Sequence, residues 1–219
     1  MRSHLRLALT AAALLGPAAP SIAQAQGPRS YFSAFGGNPL PQGSSLLHAQ
    51  FGWPGISATF LHGATPKASV GGRFTFNYGM EGRVGGIDLG LKFQGLIRLG
   101  LLDSARVNLG LDLAPGLALY FPGNGAFTEV GLALPVSFVL GIPVNDALAL
   151  HVAIELPLLA TFTGNQTFYV PIFLGGGLGY ALDKNLLLTL SLQMGPVIDV
   201  QLARPYFGME ALFGLAFRL

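Results

Sequence analysis

The chain has 219 residues, of which 10% are charged, 51% are hydrophobic and 31 are glycine, and its formal net charge is +2. Soluble domains carry about 25% charged residues, so this chain has too few charges to cover a water-facing surface, and its charge balance gives no reason to expect a nucleic-acid partner. The absence of cysteine excludes disulfides, thiolate metal sites and a lipid-modified N-terminal cysteine.

The first 25 residues have the three parts of a secretory signal peptide. Arg2 and Arg6 form a basic n-region, the apolar run over 7–15 is too short for a membrane-spanning helix, and residues 23–25 read Ala-Gln-Ala, a small-residue cleavage site. We predict a signal peptide over 1–25, with cleavage after residue 25. The mature chain would then hold ten Lys+Arg and ten Asp+Glu, so the positive excess belongs to the signal.

The next part of the chain leaves two interpretations of the first strands. Residues 26–44 form a polar leader rich in Pro and Gly, and the alternating segment 46–62 changes phase at residues 53–55, Trp-Pro-Gly. Either Pro54-Gly55 makes a tight hairpin, or one long strand carries a bulge there. In the second case the leader contains the first strand, at residues 30–37.

From about residue 67 onward, large apolar side chains alternate with small or polar ones at a period of two, which predicts β-strands. In VGLALPVSFVLGI (130–142) every even-numbered residue is large and apolar, and proline interrupts the run, so a transmembrane helix of about 20 residues does not fit. The predicted strands cover residues 67–79, 84–101, 104–121, 127–142, 146–160, 168–182, 185–201 and 206–219.

The two faces of these predicted strands indicate a membrane rather than water. No position on the apolar face is charged, as expected where Lys or Arg facing lipid costs about 2–4 kcal/mol. The other face is too rich in Gly and Ala for the outside of a soluble sandwich. Open sheet edges cannot exist in hydrocarbon, so the sheet must close. We predict an all-β fold over 45–219, a closed antiparallel up-and-down transmembrane β-barrel of about ten strands, with eight as the alternative.

The connections between the predicted strands alternate between two kinds. Tight turns rich in Asp, Asn and Lys are expected on the periplasmic side, and loops richer in Gly and aromatic residues on the outer side. The turns cover 64–68, 102–106, 143–147 and 182–186, and the loops 79–85, 121–127, 163–167 and 203–208. Lipid-facing aromatic residues form two predicted girdles, with Tyr78, Phe121, Phe168 and Phe207 at the outer ends and Tyr180 and Phe217 at the inner ends.

The chain ends with FGLAFRL (213–219), in which Phe213, Leu215, Phe217 and Leu219 alternate with smaller or charged residues. This pattern resembles the C-terminal signal of bacterial outer-membrane β-barrel proteins, although that family usually ends in Phe. The resemblance, which covers about residues 45–219, is to the small eight- to ten-stranded class. It implies the outer membrane of a Gram-negative bacterium as the location, and outer-membrane lipid and the barrel-assembly machinery as partners.

The strand register directs eleven ionisable side chains into the barrel, together with His48 and His151. Buried charges are costly unless they are paired, so we predict a self-paired, plugged lumen with Lys92 and Asp112 as one pair. Asp199 and Glu210 are expected near each other at the outer mouth, where two carboxylates could share a proton or hold a cation. The predicted lumen network contains Arg73, Asp88, Lys92, Arg98, Arg106, Asp112, Glu129, Glu155, Asp199, Glu210 and Arg218.

The sequence shows no motif for catalysis, a cofactor or a metal. His151 and Glu155 share a strand face roughly 13 Å apart, and Ser137 faces the lumen nearby, so a Ser–His–acid set is conceivable. The motifs of lipid A and protease barrel enzymes are not visible. We therefore expect a non-enzymatic, porin-like outer-membrane barrel with a structural or interaction role. A narrow channel or carrier for small or apolar solutes is the first alternative, and a lipid-modifying hydrolase the second.

Overall fold

The computed structural model describes residues 32–79, 89–104, 106–121, 128–163, 168–201 and 204–219. The predicted signal peptide and Asp88 lie outside these residues, as do most of the predicted outer loops.

In the described part of the chain, twelve β-segments form one antiparallel sheet. They are β1 (Ser45–Trp53), β2 (Gly55–Thr65), β3 (Ala68–Asn77), β4 (Leu89–Asp103), β5 (Asn108–Leu113), β6 (Gly116–Phe121), β7 (Glu129–Pro143), β8 (Leu148–Thr161), β9 (Phe168–Pro171), β10 (Phe173–Ala181), β11 (Leu186–Asp199) and β12 (Arg204–Arg218). Segments β5 and β6 share the neighbours β4 and β7, and β9 and β10 share β8 and β11. Each of these two pairs is therefore one barrel strand with an interruption, and the described segments make ten barrel strands.

The sheet closes on itself between its first and last strands. β1 pairs with β12 from Leu46 opposite Arg218 to Trp53 opposite Ala211, while its other edge pairs with β2. Closure removes the open edges that hydrocarbon does not tolerate. The prediction of a closed antiparallel barrel of ten strands is confirmed.

The first hairpin follows the tighter of the two interpretations. β1 and β2 are separated by Pro54 alone and pair from Phe51 opposite Ile56 to Ser45 opposite His62. The phase change at residues 53–55 is therefore the hairpin itself. The alternative, in which residues 30–37 supply a strand, is wrong for its described part, because residues 32–37 form no strand.

The outside of the barrel is apolar over its whole circumference. Large side chains such as Phe51, Phe93, Leu174 and Phe207 point away from the lumen and are more than half exposed. Their neighbours along each strand point inward, as the two-residue period requires. Such an exterior is stable in hydrocarbon and would aggregate in water.

Aromatic residues mark both ends of this exterior. Phe121, Phe168 and Phe207 are exposed at the loop end of the barrel, and Tyr180 and Phe217 at the turn end, where β1 begins and β12 ends. The described residues of the predicted girdles thus lie at the expected heights. Tyr78 differs from them in being half-buried, with its ring against Trp53 and its hydroxyl donating to the Gly52 carbonyl.

Side chains of the turns hold the tight connections. The Asn145 carboxamide oxygen accepts hydrogen bonds from the backbone N–H groups of Ala147 and Leu148 at 2.9 and 2.8 Å. The Asp183 carboxylate does the same for the second and third residues after it. These Asx turns explain why Asn and Asp are concentrated at this end. Within the described ranges, no helix has the length and apolar character needed to cross a membrane.

The apolar exterior predicts how cysteines introduced at two positions will react. In protein refolded into lipid vesicles, we expect the Leu111→Cys variant to resist a membrane-impermeant maleimide, because position 111 faces outward on β5. The Asp146→Cys variant, in an exposed turn, should react readily. The rates are measured by mass shift. Equal labelling of the two folded variants would contradict the membrane-facing position of residue 111.

Candidate functional site

Residues 32–44, called here the plug segment, lie inside the turn end of the barrel. Phe32, Ala34 and Leu40 are buried there. They pack in one apolar cluster with inward-facing leucines of the barrel wall, namely Leu46, Leu61, Leu96 and Leu187. The core of this protein is therefore the filling of the lumen. The predicted leader is, in its described part, an internal element.

Hydrogen bonds attach the plug segment to the wall at several heights. The Leu40 N–H donates to Ser69 Oγ at 2.8 Å. The Arg98 guanidinium donates to the Ser33 and Ala34 carbonyls at 3.4 and 3.2 Å. Backbone groups of the segment that would otherwise be buried without a partner are thereby satisfied.

Glycines allow the plug segment to touch the wall backbone. Gly37 has φ +82°, and a Cβ on it would lie 3.0 Å from the Gly141 nitrogen. A Cβ on Gly110 of β5 would lie 3.1 Å from the Gly37 nitrogen. Because each of the three residues lacks a side chain, the two backbones approach as closely as strands do. Part of the Gly-rich inner face is thus the seat of the plug segment.

Phe35 of the plug segment covers two inward-facing histidines. Its ring stacks on His151 with centroids 3.8 Å apart and contacts His48 edge-on at 5.7 Å. His48 Nε2 is also 3.0 Å from Thr189 Oγ1. Both histidines point inward, as their strand parity indicates, and both face the plug segment.

An ion pair connects the wall to the plug segment. Arg98 and Asp112 stand directly opposite each other on β4 and β5, and Arg98 Nη2 lies 3.0 Å from Asp112 Oδ2. Arg98 Nε also donates to both carboxylate oxygens. The predicted pairing of Lys92 with Asp112 is wrong: Lys92 stands opposite Ala118, six residues further along β4.

Beyond Phe35 the lumen holds a cavity of about 120 Å³, called here the chamber. A cavity of this size has room for several waters. Two cations and two anions line it, with three amides between them: Arg73, Lys92, Glu155, Glu210, Gln50, Gln94 and Gln193. Arg73 Nε donates to Thr59 Oγ1 at 3.3 Å, and Gln193 donates to Glu210 at 3.1 Å. The predicted lumen network is thus divided into a paired part and a chamber part.

Three predicted network members lie elsewhere. Arg106 is exposed in the turn before β5, so its predicted inward position is wrong. Asp199 is buried at the loop end of β11, and Glu129 is half-buried at the start of β7. Asp199 and Glu210 do not form the predicted carboxylate pair, because Glu210 stands opposite Gln193 and Asp199 is six residues further along β11.

The conceivable Ser–His–acid set does not assemble. Ser137 stands opposite Glu155, whereas His151 stands opposite Gly141, four residues away along the strand, and is covered by Phe35. Four residues correspond to roughly 13 Å. No group of three or more acidic or histidine side chains suited to a metal ion occurs among the described residues.

The sequence contained a signal for the plug segment that the strand pattern did not reveal. The leader has few charges, and it carries Phe32 and Phe35 directly before the Gly36-Gly37 pair. Two aromatic residues beside two glycines in a supposed solvent-exposed leader favour a buried, closely packed segment. The charged lining of the chamber, by contrast, was predicted by strand parity.

The fold and the lumen together define the class of the protein, an outer-membrane β-barrel with a filled interior. No family model and no curated protein match the chain. Among solved structures, it is similar to the outer-membrane protease OmpT of Escherichia coli, at 9% identity and a TM-score of 0.36, covering 80% of this chain and 90% of that one.

Two further similar structures are the KdgM porin and Ail, the attachment invasion locus protein of Yersinia pestis. The first has 8% identity and a TM-score of 0.37, with 80% of this chain and 98% of the porin covered. The second has 13% identity and a TM-score of 0.25, with 82% and 100% covered. The barrel architecture of this chain rests on its own strand pairing.

The Arg98–Asp112 pair should show strong energetic coupling. Removal of one partner of a buried pair costs about 3–5 kcal/mol, so we expect Arg98→Ala and Asp112→Ala each to lower the free energy of unfolding by that order. The double variant should lose clearly less than the sum. Urea unfolding in lipid vesicles measures this cycle. Lys92→Ala with Asp112→Ala is the matched cycle, and we expect it to be nearly additive.

The close approach at Gly37 predicts a position-specific effect of an added side chain. In Gly37→Val the left-handed backbone costs about 1–2 kcal/mol, and the contact with Gly141 adds about 1–3 kcal/mol of overpacking. Gly43→Ala is the control, since Gly43 has the same φ of +82° but no heavy atom within 4 Å of its Cβ position. Urea unfolding of both variants measures the difference. Similar losses in the two would argue against a tightly seated plug segment.

Proposed function

We propose that the protein is an integral outer-membrane β-barrel whose lumen is closed by its own N-terminal segment, and that it serves a structural or interaction role. The observation that carries this proposal is the burial of the plug segment. Phe32, Ala34 and Leu40 fill the turn end of the lumen together with four wall leucines. A barrel that exists to conduct solutes keeps this space open.

The electrostatics of the lumen agree with a closed barrel. The Arg98 guanidinium is fully engaged with Asp112 and with two plug carbonyls, so it is not available to an ion in transit. The inner charges of the chamber are balanced, with two cations facing two anions. A lumen arranged in this way stabilises itself and gives no net preference for cations or anions.

The outward direction of the barrel follows from the same features. The Asx turns and both described ends of the chain lie at one end, which we assign to the periplasm. The plug segment then enters from the periplasmic side. The loop end faces outward, and contacts with partners would be made there.

The chamber supports a second candidate, a narrow passage for small polar solutes. It contains charged and amide side chains and lies directly behind Phe35. Displacement of the plug segment would connect it to the periplasmic side. No comparable observation supports the hydrolase alternative, because His151 is covered and Ser137 lies apart from it.

Planar-bilayer recordings separate the closed barrel from the passage. We expect the intact mature chain, refolded and inserted, to carry no steady current, because the plug segment fills the turn end. A general porin inserted under the same conditions is the positive control, and heat-modifiable gel migration verifies that the tested sample is folded. A steady open current from the intact chain would overturn the closed-lumen proposal in favour of the narrow channel.

A further inference from the structure

Five prolines lie close to one level of neighbouring barrel strands. They occupy the interruption between β5 and β6 and the bodies of β7, β8, β9 and β11: Pro115, Pro135, Pro157, Pro171 and Pro196. Proline has no N–H to donate to a neighbouring strand. In a bilayer each missing backbone hydrogen bond is expensive, because no water replaces it. So many prolines at one level require an explanation.

At the β5/β6 interruption the lumen repairs the loss. The Ala114 N–H donates to the Pro135 carbonyl at 3.0 Å, but Pro135 cannot return a bond to Ala114. The Gln94 side chain donates to the Ala114 carbonyl instead, at 3.0 Å. This part of the wall is therefore closed by a side chain.

The boundary between β8 and the β9–β10 strand is different. Pairing runs up to Glu155 opposite Phe173 and resumes at Leu159 opposite Tyr169. By the same register, Pro157 faces Pro171 between them. Neither can donate, so both hydrogen bonds of that position are missing. Residues 156–158 facing 170–172 are called here the proline gap.

The neighbouring strand does not compensate at the proline gap. The Ile172 N–H turns away from β8 and donates to the Pro196 carbonyl of β11 at 2.9 Å. Pro196 cannot return that bond. Within the described residues, the proline gap thus has no counterpart of the Gln94 repair, and it is the weakest point of the pairing around the barrel.

Both sides of the proline gap are apolar. On the outside, Ile172 is exposed to the surroundings of the barrel. On the inside, Leu159 belongs to a second apolar cluster with Tyr120 and Tyr169, and Phe173 is fully buried beside it. A hydrocarbon chain would meet apolar surface along the whole path, whereas an ion or a sugar would meet no polar side chain among these residues.

We propose that the proline gap is a lateral opening in the barrel wall through which an acyl chain of a bilayer lipid enters the lumen. This inference rests on the proposed function in one respect, the membrane-embedded barrel. The occupant is a lipid chain because hydrocarbon is what adjoins Ile172 outside, and Leu159 and Phe173 offer an apolar seat within. The opening lies four residues from the loop end of β8, at Thr161, and nine from its other end.

The test uses phosphatidylcholine with a diazirine on its acyl chain, in vesicles that hold the refolded mature protein. After irradiation, peptide mapping locates the crosslinks. We expect crosslinks on outward-facing residues all around the barrel. We also expect crosslinks on the inward-facing Leu159, Tyr169 and Phe173, but none on Leu61, which faces inward on the opposite wall.

A disulfide across the proline gap should close it. The chain has no cysteine, so Leu156→Cys with Ile172→Cys introduces one unique pair on the outer face, at positions that the register sets opposite each other. Ile154→Cys with Leu174→Cys is the matched control, on the same two strands within the continuous ladder. We expect inward crosslinks to be lost in the first variant and kept in the second.

A second variant tests the same inference without a disulfide. Pro157→Ala with Pro171→Ala restores two N–H donors at facing positions, so the ladder can close and inward crosslinks should again be lost. Inward crosslinks that persist in both closed variants, or that never occur in the unmodified chain, would overturn the lateral opening. An absence of outward crosslinks as well would instead contradict the membrane-embedded barrel itself.

Discussion

The need to satisfy every backbone hydrogen bond in hydrocarbon determines the rest of this structure. It requires the pairing of β1 with β12, and that closure places one residue of every two inside a narrow cylinder. The exterior then needs only apolar bulk, which explains a chain so poor in charge. The interior carries the whole burden of packing and of charge compensation, and the specific features of the protein are found there.

The lumen is filled by two different means. At the turn end the chain folds its own N-terminal segment inward, and glycines on two strands provide the space. Further in, charged and amide side chains surround a small chamber. Arg98 joins the two regions, because one guanidinium neutralises Asp112 and also binds the carbonyls of the plug segment. A change at this residue would therefore affect both the wall and the plug segment.

The strands could be predicted from sequence because contact with lipid imposes a rule on every second residue, and the rule is local. Contacts across the lumen follow no such rule. Phe35 meets His151 only because the plug segment turns inward, and nothing near either residue records that meeting. Partner identity also depends on register. A shift of a few residues separates the predicted Lys92–Asp112 pair from the observed pair with Arg98, and it moves Glu210 away from Asp199.

The prolines show a second limit of an alternating pattern. Parity records where a side chain points, but it does not record whether the backbone can donate. The predicted strands 104–121 and 168–182 therefore contain the interruptions at residues 114–115 and 172 without any break in alternation. In water such an interruption costs little, since solvent replaces the lost bonds. In a bilayer solvent is absent, and the wall either supplies a substitute, as Gln94 does for Ala114, or stays weakly joined, as it does where Pro157 faces Pro171.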